Sequence, residues 1–343
     1  MKKKVFVLLI GGVFITGHAR SVTEQQPDVH EQVMQGIEMV YLHQYSKAEK
    51  IFYKIQKSYS ENPTGYLFMA ALFYLRIVDE ESEAEEDYFY ENINNAISKA
   101  EIALAHDEND LYAYFYLGGA YGYLGMYQAR KKEWISALRN GWEGVLQLKR
   151  IVEMDSTFYD AYYGLGVYDY YRSKLMELLW WLPIITDNRE KGIQQLKETM
   201  ERGIYSRESA ACMAGKILNE ERRFEESVNI TKTMLQKYPD NRIFLWNLGD
   251  GYFGIKKYED SEDCYHRILN QVLEIKDQNR IQEIKVRYVL AQLMAARGNR
   301  EQSLQEYKTI LSYSLNTDIK RQVSDILVNS EKIVKKNIKD TIK

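Results

Sequence analysis

The feature that most constrains the fold is an internal repeat of 34 residues between positions 207 and 269. Within it, Gly249 stands 34 positions after Gly215, and Ser261 stands 34 positions after Ser227. Self-similarity at such a period indicates stacked units, each of which needs its neighbours to bury an apolar face. The small residues let the two helices of one unit approach closely, while large residues fill the gaps between units.

A second period, of 48 residues, precedes the first. Small residues recur in two columns and tyrosines in a third: Ala70, Gly118 and Gly166; Ala96, Gly144 and Gly192; Tyr66, Tyr114 and Tyr162. The two small positions of one long unit lie 26 residues apart, against 12 in the short units. The 14 additional residues predict lengthened helices or an inserted excursion in each long unit.

This pattern resembles the tetratricopeptide repeat family, strongly over 207–269 and less closely over the rest of 28–311. The resemblance implies an all-α, right-handed superhelical solenoid of antiparallel helix pairs, some of them lengthened. We place the array of 34-residue and 48-residue units at 28–317 and a C-terminal capping helix at 318–343. Only four prolines occur in 343 residues, which favours long helices, and no segment alternates as a strand would.

The first 19 residues predict an export signal. Lys2, Lys3 and Lys4 precede an apolar run at 5–15, and Gly17 and Ala19 are small residues where a signal peptidase requires them. The apolar run is shorter than the roughly 20 residues that span a bilayer, although an uncleaved anchor is the alternative. We therefore expect a bacterial periplasmic or secreted protein associated with the envelope.

Tyrosine outnumbers phenylalanine 28 to 11, and twelve of the tyrosines lie between positions 112 and 171. A tyrosine combines a large contact area with a hydroxyl that bonds a peptide backbone. On helices like those of the repeat family, seven aromatic residues would face the concave groove: Tyr112, Phe115, Tyr123, Tyr163, Tyr170, Tyr171 and Trp246. The alternative is that the cluster only packs between repeats, since aromatic stripes at helical spacing are usually core.

The most apolar piece beyond the export signal is the 11-residue segment 175–185, LMELLWWLPII. It is too short to span a bilayer. One interpretation is that it packs back onto the array, because an exposed apolar segment promotes aggregation. The other is that it contacts a membrane surface or a partner through Leu178, Leu179, Trp180 and Trp181.

The acidic run at 79–87, DEESEAEED, is expected to form a solvated loop. It lacks the glycine and the ligand spacing of a calcium-binding loop, so we expect no metal site. The five histidines form no metal-binding pair, and neither a P-loop nor a nucleophile elbow occurs. We therefore expect neither catalysis nor a cofactor.

Some tetratricopeptide domains grip a C-terminal carboxylate with lysine and asparagine side chains. Here the corresponding positions are Lys216, Asn247 and Asp250, which do not complete such a clamp. The formal net charge of −3 argues against a general nucleic-acid binder.

The sequence thus favours a non-catalytic scaffold in the bacterial cell envelope that binds a protein or peptide partner on its concave surface. The alternative is a membrane-peripheral assembly factor that uses residues 175–185. An enzyme with a site assembled across repeats is the least favoured interpretation. The sequence predicts neither the identity of the partner nor an oligomeric state.

Overall fold

The structure, a computed structural model, describes residues 27–176, 186–275 and 279–342. Over these ranges the chain forms sixteen α-helices and no strand. The helices are α1 (Pro27–Tyr41), α2 (Tyr45–Ser58), α3 (Thr64–Glu80), α4 (Glu86–His106), α5 (Leu111–Arg130), α6 (Trp134–Met154), α7 (Ala161–Met176), α8 (Arg189–Arg202), α9 (Arg207–Glu220), α10 (Phe224–Lys237), α11 (Arg242–Gly254), α12 (Tyr258–Glu274), α13 (Ile281–Ala296), α14 (Arg300–Ser312), α15 (Thr317–Gln322) and α16 (Ser324–Ile342). The predicted export signal at 1–19 and the candidate contact residues at 178–181 lie outside the described residues.

Consecutive helices pack as pairs, from α1 with α2 to α13 with α14, and α16 packs against α13 and α14. Asp110 and Asn241 start two of the helices, because their side-chain oxygens accept the first free backbone N–H groups of α5 and α11. The prediction of an all-α solenoid of antiparallel helix pairs is confirmed. No helix within the described ranges is both long and apolar enough to cross a bilayer.

Small residues lie where the two helices of a pair cross. A Cβ atom added to Gly118 would stand 3.2 Å from the carbonyl oxygen of Gly144, and one added to Gly166 would stand 2.7 Å from that of Gly192. In the short units a serine hydroxyl of the second helix donates to a backbone carbonyl of the first. These bonds are Ser227 to Gly215 at 2.9 Å, Ser261 to Gly249 at 2.8 Å and Ser303 to Ala291 at 2.7 Å. The small residues that recur at fixed spacing in the sequence are therefore the residues that form the contacts within each pair.

The first two long units accommodate their additional residues as longer helices. Helices α3 to α6 contain 17, 21, 20 and 21 residues, whereas α9 and α10 contain 14 each. Of the two alternatives for the long units, these two units therefore contain lengthened helices.

The first two helix pairs also contact the fifth and sixth pairs across the superhelix. The Tyr41 hydroxyl is hydrogen bonded to Oγ of Ser209 at 2.9 Å, and the Asn241 side chain donates to the Tyr41 carbonyl at 3.0 Å. The buried carboxylate of Asp79 pairs with the guanidinium of Arg242, with 2.9 Å between Oδ1 and Nε. We call these interactions the closure contacts, because they bring the two ends of the concave face together.

The seventh pair extends the closure contacts. The Gln282 side chain donates to the backbone carbonyl of Asp79, and Nζ of Lys285 lies 2.5 Å from the Glu81 carboxylate. The prediction of a solvated loop at 79–87 is therefore wrong for Asp79 and Glu81. Their carboxylates face cations of repeats that lie far away in the sequence, which the local composition of the run does not encode.

Candidate binding cavity

The concave face contains a cavity of about 910 Å³ that is partly open to solvent. Its wall is built from the inner faces of α3, α5, α7 and α9, with part of α6 on one side. The large apolar and aromatic wall residues include Phe68, Tyr74, Phe115, Tyr123, Met126, Trp134, Leu138, Tyr163, Val167, Tyr171 and Met213. Ligand pockets in proteins usually have volumes of about 300–1,000 Å³. The cavity therefore suits a compact ligand or a short chain segment, not a folded domain.

Four of the seven aromatic residues predicted for the groove line this cavity: Phe115, Tyr123, Tyr163 and Tyr171. The ring of Tyr123 lies edge-on to that of Tyr74, with 5.4 Å between the ring centroids. Burial raises the pKa of Tyr123 to about 12 and also raises the pKa of Tyr163. Their hydroxyls therefore stay protonated at neutral pH and can both donate and accept hydrogen bonds.

The other three predicted residues pack within the array. Tyr112 lies edge-on to Phe158 near the start of α5, with 5.3 Å between the centroids. Tyr170 is buried and its hydroxyl donates to Glu221 at 2.8 Å, because its position is one residue, about 100°, from the wall face of α7. Trp246 belongs to α11, and its ring centroid lies 5.0 Å from that of an α12 tyrosine.

Several charged side chains also reach the wall. Arg130 pairs with the carboxylate at the end of α3 at 2.9 Å, and Lys174 pairs with a carboxylate of α9. Within the described part of the chain, Arg172 and Lys216 form no such pair, although the Lys216 ammonium lies 5.9 Å from the ring centroid of Tyr171. The charge that remains unneutralised at the cavity is therefore positive, which favours a ligand with a carboxylate.

The one wall aspartate among the described residues, Asp160, has a structural role. Its carboxylate accepts hydrogen bonds from the backbone N–H groups of Ile204, Tyr205 and Ser206, at distances between 2.7 and 3.1 Å. Burial raises the pKa of Asp160, although these N–H groups oppose the shift. The acceptors of Asp160 are therefore used to hold the start of α9, and the described residues show no ion pair between Asp160 and the cations of the wall.

Gly122 lies in the middle of α5 and lines the cavity. A Cβ atom at this position would meet no other atom within 4 Å. A glycine inside a helix is less favourable than alanine by about 1 kcal/mol, and here no close packing requires it. The glycine therefore keeps space open in the cavity at the expense of helix stability.

The sequence analysis did not predict the closure contacts. It also did not predict that Arg172 and Gly122 line the cavity, and it considered Lys216 only as part of a carboxylate clamp. Of the clamp positions, Lys216 lines the cavity, whereas the Asn247 side chain donates to the backbone of α9 at 2.9 Å. One feature of the sequence could have identified Gly122: it is a glycine within a helix, at a position that does not belong to the repeated small residues. The part of the chain that the structure describes holds no group of three or more side chains suited to binding a metal ion.

No protein-family profile matches this chain, and neither does any curated protein. Among solved structures, a Rap protein complexed with competence and sporulation factor is 12% identical, with coverage of 89% of this chain and 80% of that one and a TM-score of 0.50. A TPR repeat-containing protein from Cytophaga hutchinsonii is 13% identical, with coverage of 84% and 97% and a TM-score of 0.42.

A tetratricopeptide repeat protein from Parabacteroides merdae is 13% identical, with coverage of 87% and 98% and a TM-score of 0.39. Such identities concern the fold alone. The stacked helix pairs and their small-residue contacts form an all-α solenoid of antiparallel pairs, and the likeness to the Rap protein, with its TM-score of 0.50, agrees with that fold.

Proposed function

We propose that this chain is a non-catalytic interaction scaffold that binds a short segment of a protein partner inside the concave cavity. Solenoids of this kind use their concave surface to bind partners. The observation that carries the proposal is the cavity of about 910 Å³ on the concave face, which aromatic side chains line. A cavity of this size admits a short segment and excludes a globular domain.

The wall chemistry indicates what the segment contains. The rings of Tyr123, Tyr163 and Tyr171 favour apolar or aromatic side chains, and their hydroxyls suit backbone amides. Arg172 and Lys216 favour an acidic side chain or a C-terminal carboxylate at one end. The proposed ligand is therefore a short apolar peptide segment that carries at least one carboxylate.

A selection experiment from random peptides tests this proposal, because it requires no candidate partner. A random heptapeptide library displayed on phage is selected on the wild-type protein, and the affinity of selected peptides is measured by fluorescence anisotropy. We expect apolar peptides with a carboxylate, and we expect Gly122→Trp, which places an indole ring in the cavity, to weaken binding by about tenfold or more. Lys216→Glu should weaken binding by a similar factor, since it reverses the charge at the wall.

The matched control is Gly122→Ala, which adds one methyl group at the same position and should bind the peptides nearly as wild type does. Circular dichroism and thermal melting confirm that each variant is folded. Selected peptides that bind Gly122→Trp and Lys216→Glu as tightly as wild type would contradict a site in the cavity.

We also propose that the protein is exported and acts in the periplasm or at the bacterial envelope. The support is the arrangement of charged, apolar and small residues at 1–19. The mature protein should begin at Arg20, which N-terminal sequencing of the exported fraction measures. Recovery of an intact Met1 in a membrane fraction would replace this proposal with an anchored protein.

A further inference from the structure

One face of α6, at the edge of the cavity, leaves a row of large apolar side chains in solvent. The row consists of Ile135, Leu138, Trp142 and Leu146, which are 87%, 38%, 42% and 41% exposed. Their spacing of three, four and four residues places them on one side of the helix, over a length of about 16 Å. We call this row the α6 stripe. Soluble monomers rarely expose contiguous apolar surface of this kind without using it for binding.

Cations accompany the α6 stripe. Helix α6 carries Arg139, Lys149 and Arg150, and Arg150 pairs with Glu153 at 3.6 Å. Arg139 follows Ile135 by four residues and so lies beside the stripe. Within the described residues Arg139 and Lys149 form no ion pair, so both leave positive charge beside the exposed apolar row.

Trp142 connects the apolar row with the basic flank. The ammonium of Lys149 lies over the Trp142 ring, 5.2 Å from its centroid. Tryptophan and basic residues on one helix face are typical of helices that lie in the interface of a lipid bilayer. In that position the rings enter the headgroup region, while the lysine and arginine side chains reach the lipid phosphates.

We propose that the α6 stripe docks onto an anionic lipid surface, with α6 parallel to the bilayer. A second copy of this chain is the less suitable occupant, because two stripes face to face would bring two basic flanks together. The proposal does not depend on peptide binding in the cavity. It does link the two sites, since Leu138 belongs both to the stripe and to the cavity wall, so docking holds that side of the cavity at the lipid surface.

Sedimentation with lipid vesicles tests the proposal. The full chain is mixed with vesicles of phosphatidylcholine alone or with 30% phosphatidylglycerol, a composition we choose for its negative charge, and the bound fraction is measured. We expect binding to the anionic vesicles that weakens in high salt, because salt screens the attraction between cations and lipid. Trp142→Glu should lower the partition coefficient by about tenfold or more.

The matched control is Leu273→Glu, since Leu273 is 47% exposed on α12, and it should leave vesicle binding unchanged. Circular dichroism confirms that both variants are folded. Absence of wild-type binding, equal binding to uncharged vesicles, or unchanged binding of Trp142→Glu would each overturn the proposal. Loss of binding on deletion of residues 177–185, with Trp142→Glu still bound, would also overturn it and transfer the contact to that segment.

Light scattering adds a last outcome. A dimer that Trp142→Glu disrupts, in a protein that binds neither kind of vesicle, would identify the stripe as an interface between copies and refute lipid docking. Peptide affinity in the cavity, measured on the same variants, shows separately whether the proposed function holds.

Discussion

The substitution Asp79→Ala should destabilise the protein strongly, because it removes the carboxylate at the centre of the closure contacts. The Asp79 side chain is buried and accepts hydrogen bonds from the guanidinium of Arg242 and from the hydroxyl of Tyr45, the latter at 2.6 Å. The Arg242 side chain is itself only 9% exposed. Removing one partner of a buried ion pair leaves an uncompensated charge and costs about 3–5 kcal/mol.

Urea unfolding followed by circular dichroism measures this loss. The exposed pair between Arg321 and Asp318, at 3.0 Å, provides the control, since Asp318→Ala should cost no more than about 1 kcal/mol. The double variant Asp79→Ala/Arg242→Met should be more stable than Asp79→Ala, because it no longer leaves a buried charge unpaired. A loss below about 1 kcal/mol for Asp79→Ala would contradict a buried ion pair, since it would mean that Asp79 is hydrated and the closure contacts do not form.

Three further predictions concern single residues. Burial lowers the pKa of His43 below its usual 6.5, with Asp79 opposing the shift, so the unfolded chain binds a proton first as the pH falls. The free energy of unfolding should therefore fall below about pH 6.5. The variant His43→Asn should remove this part of the pH dependence, since asparagine tolerates the φ of 56° at this position. If the free energy of unfolding in urea has the same pH dependence in the wild type and in His43→Asn, the prediction is wrong. Gly122→Ala should stabilise the protein by about 1 kcal/mol, whereas Gly166→Ala should destabilise it because the added methyl group would meet α8. If thermal melting gives the opposite order, Gly122 does not face open space in the cavity. Burial raises the pKa of the Cys212 thiol, and raises that of Cys264 to about 12, so a thiol reagent at pH 8 should label neither until urea is added.

The contacts within each helix pair could be predicted from the sequence. Gly118 and Gly144 meet across one pair, and Ser261 bonds the Gly249 carbonyl in another, because residues at fixed spacing occupy the same place in every unit. In a repeat protein the same type of residue makes the equivalent contact in each unit, so these local contacts can be predicted from the sequence. The fold followed from them.

The closure contacts could not be predicted in the same way. Asp79 and Arg242 are 163 residues apart, and the period of the repeat carries no information about which distant units meet. How far a solenoid curves depends on small rotations between neighbouring units, which sequence columns do not specify. The acidic composition of the run at 79–87 is typical of a solvated loop, and it therefore did not indicate that Asp79 is buried.

The candidate site was partly predictable for a related reason. Tyr123, Tyr163 and Tyr171 were assigned to the concave face because they flank the packing column, and they do line the cavity. Tyr170 was assigned with them, but a difference of one residue turns a helical side chain by about 100° and buries its ring instead. Gly122 was overlooked because its role lies in the space that it leaves empty.

Photo-crosslinking with a peptide from the phage selection shows whether the concave cavity is the binding site. The peptide carries a benzophenone side chain at one apolar position, and mass spectrometry identifies the protein residues to which it becomes attached. We expect crosslinks to cavity-wall residues, above all Met126 and Met213, and we expect Gly122→Trp to lose them. Crosslinks confined to Ile135, Trp142 and Leu146 of α6 or to α12, with none at the cavity wall, would contradict binding in the cavity.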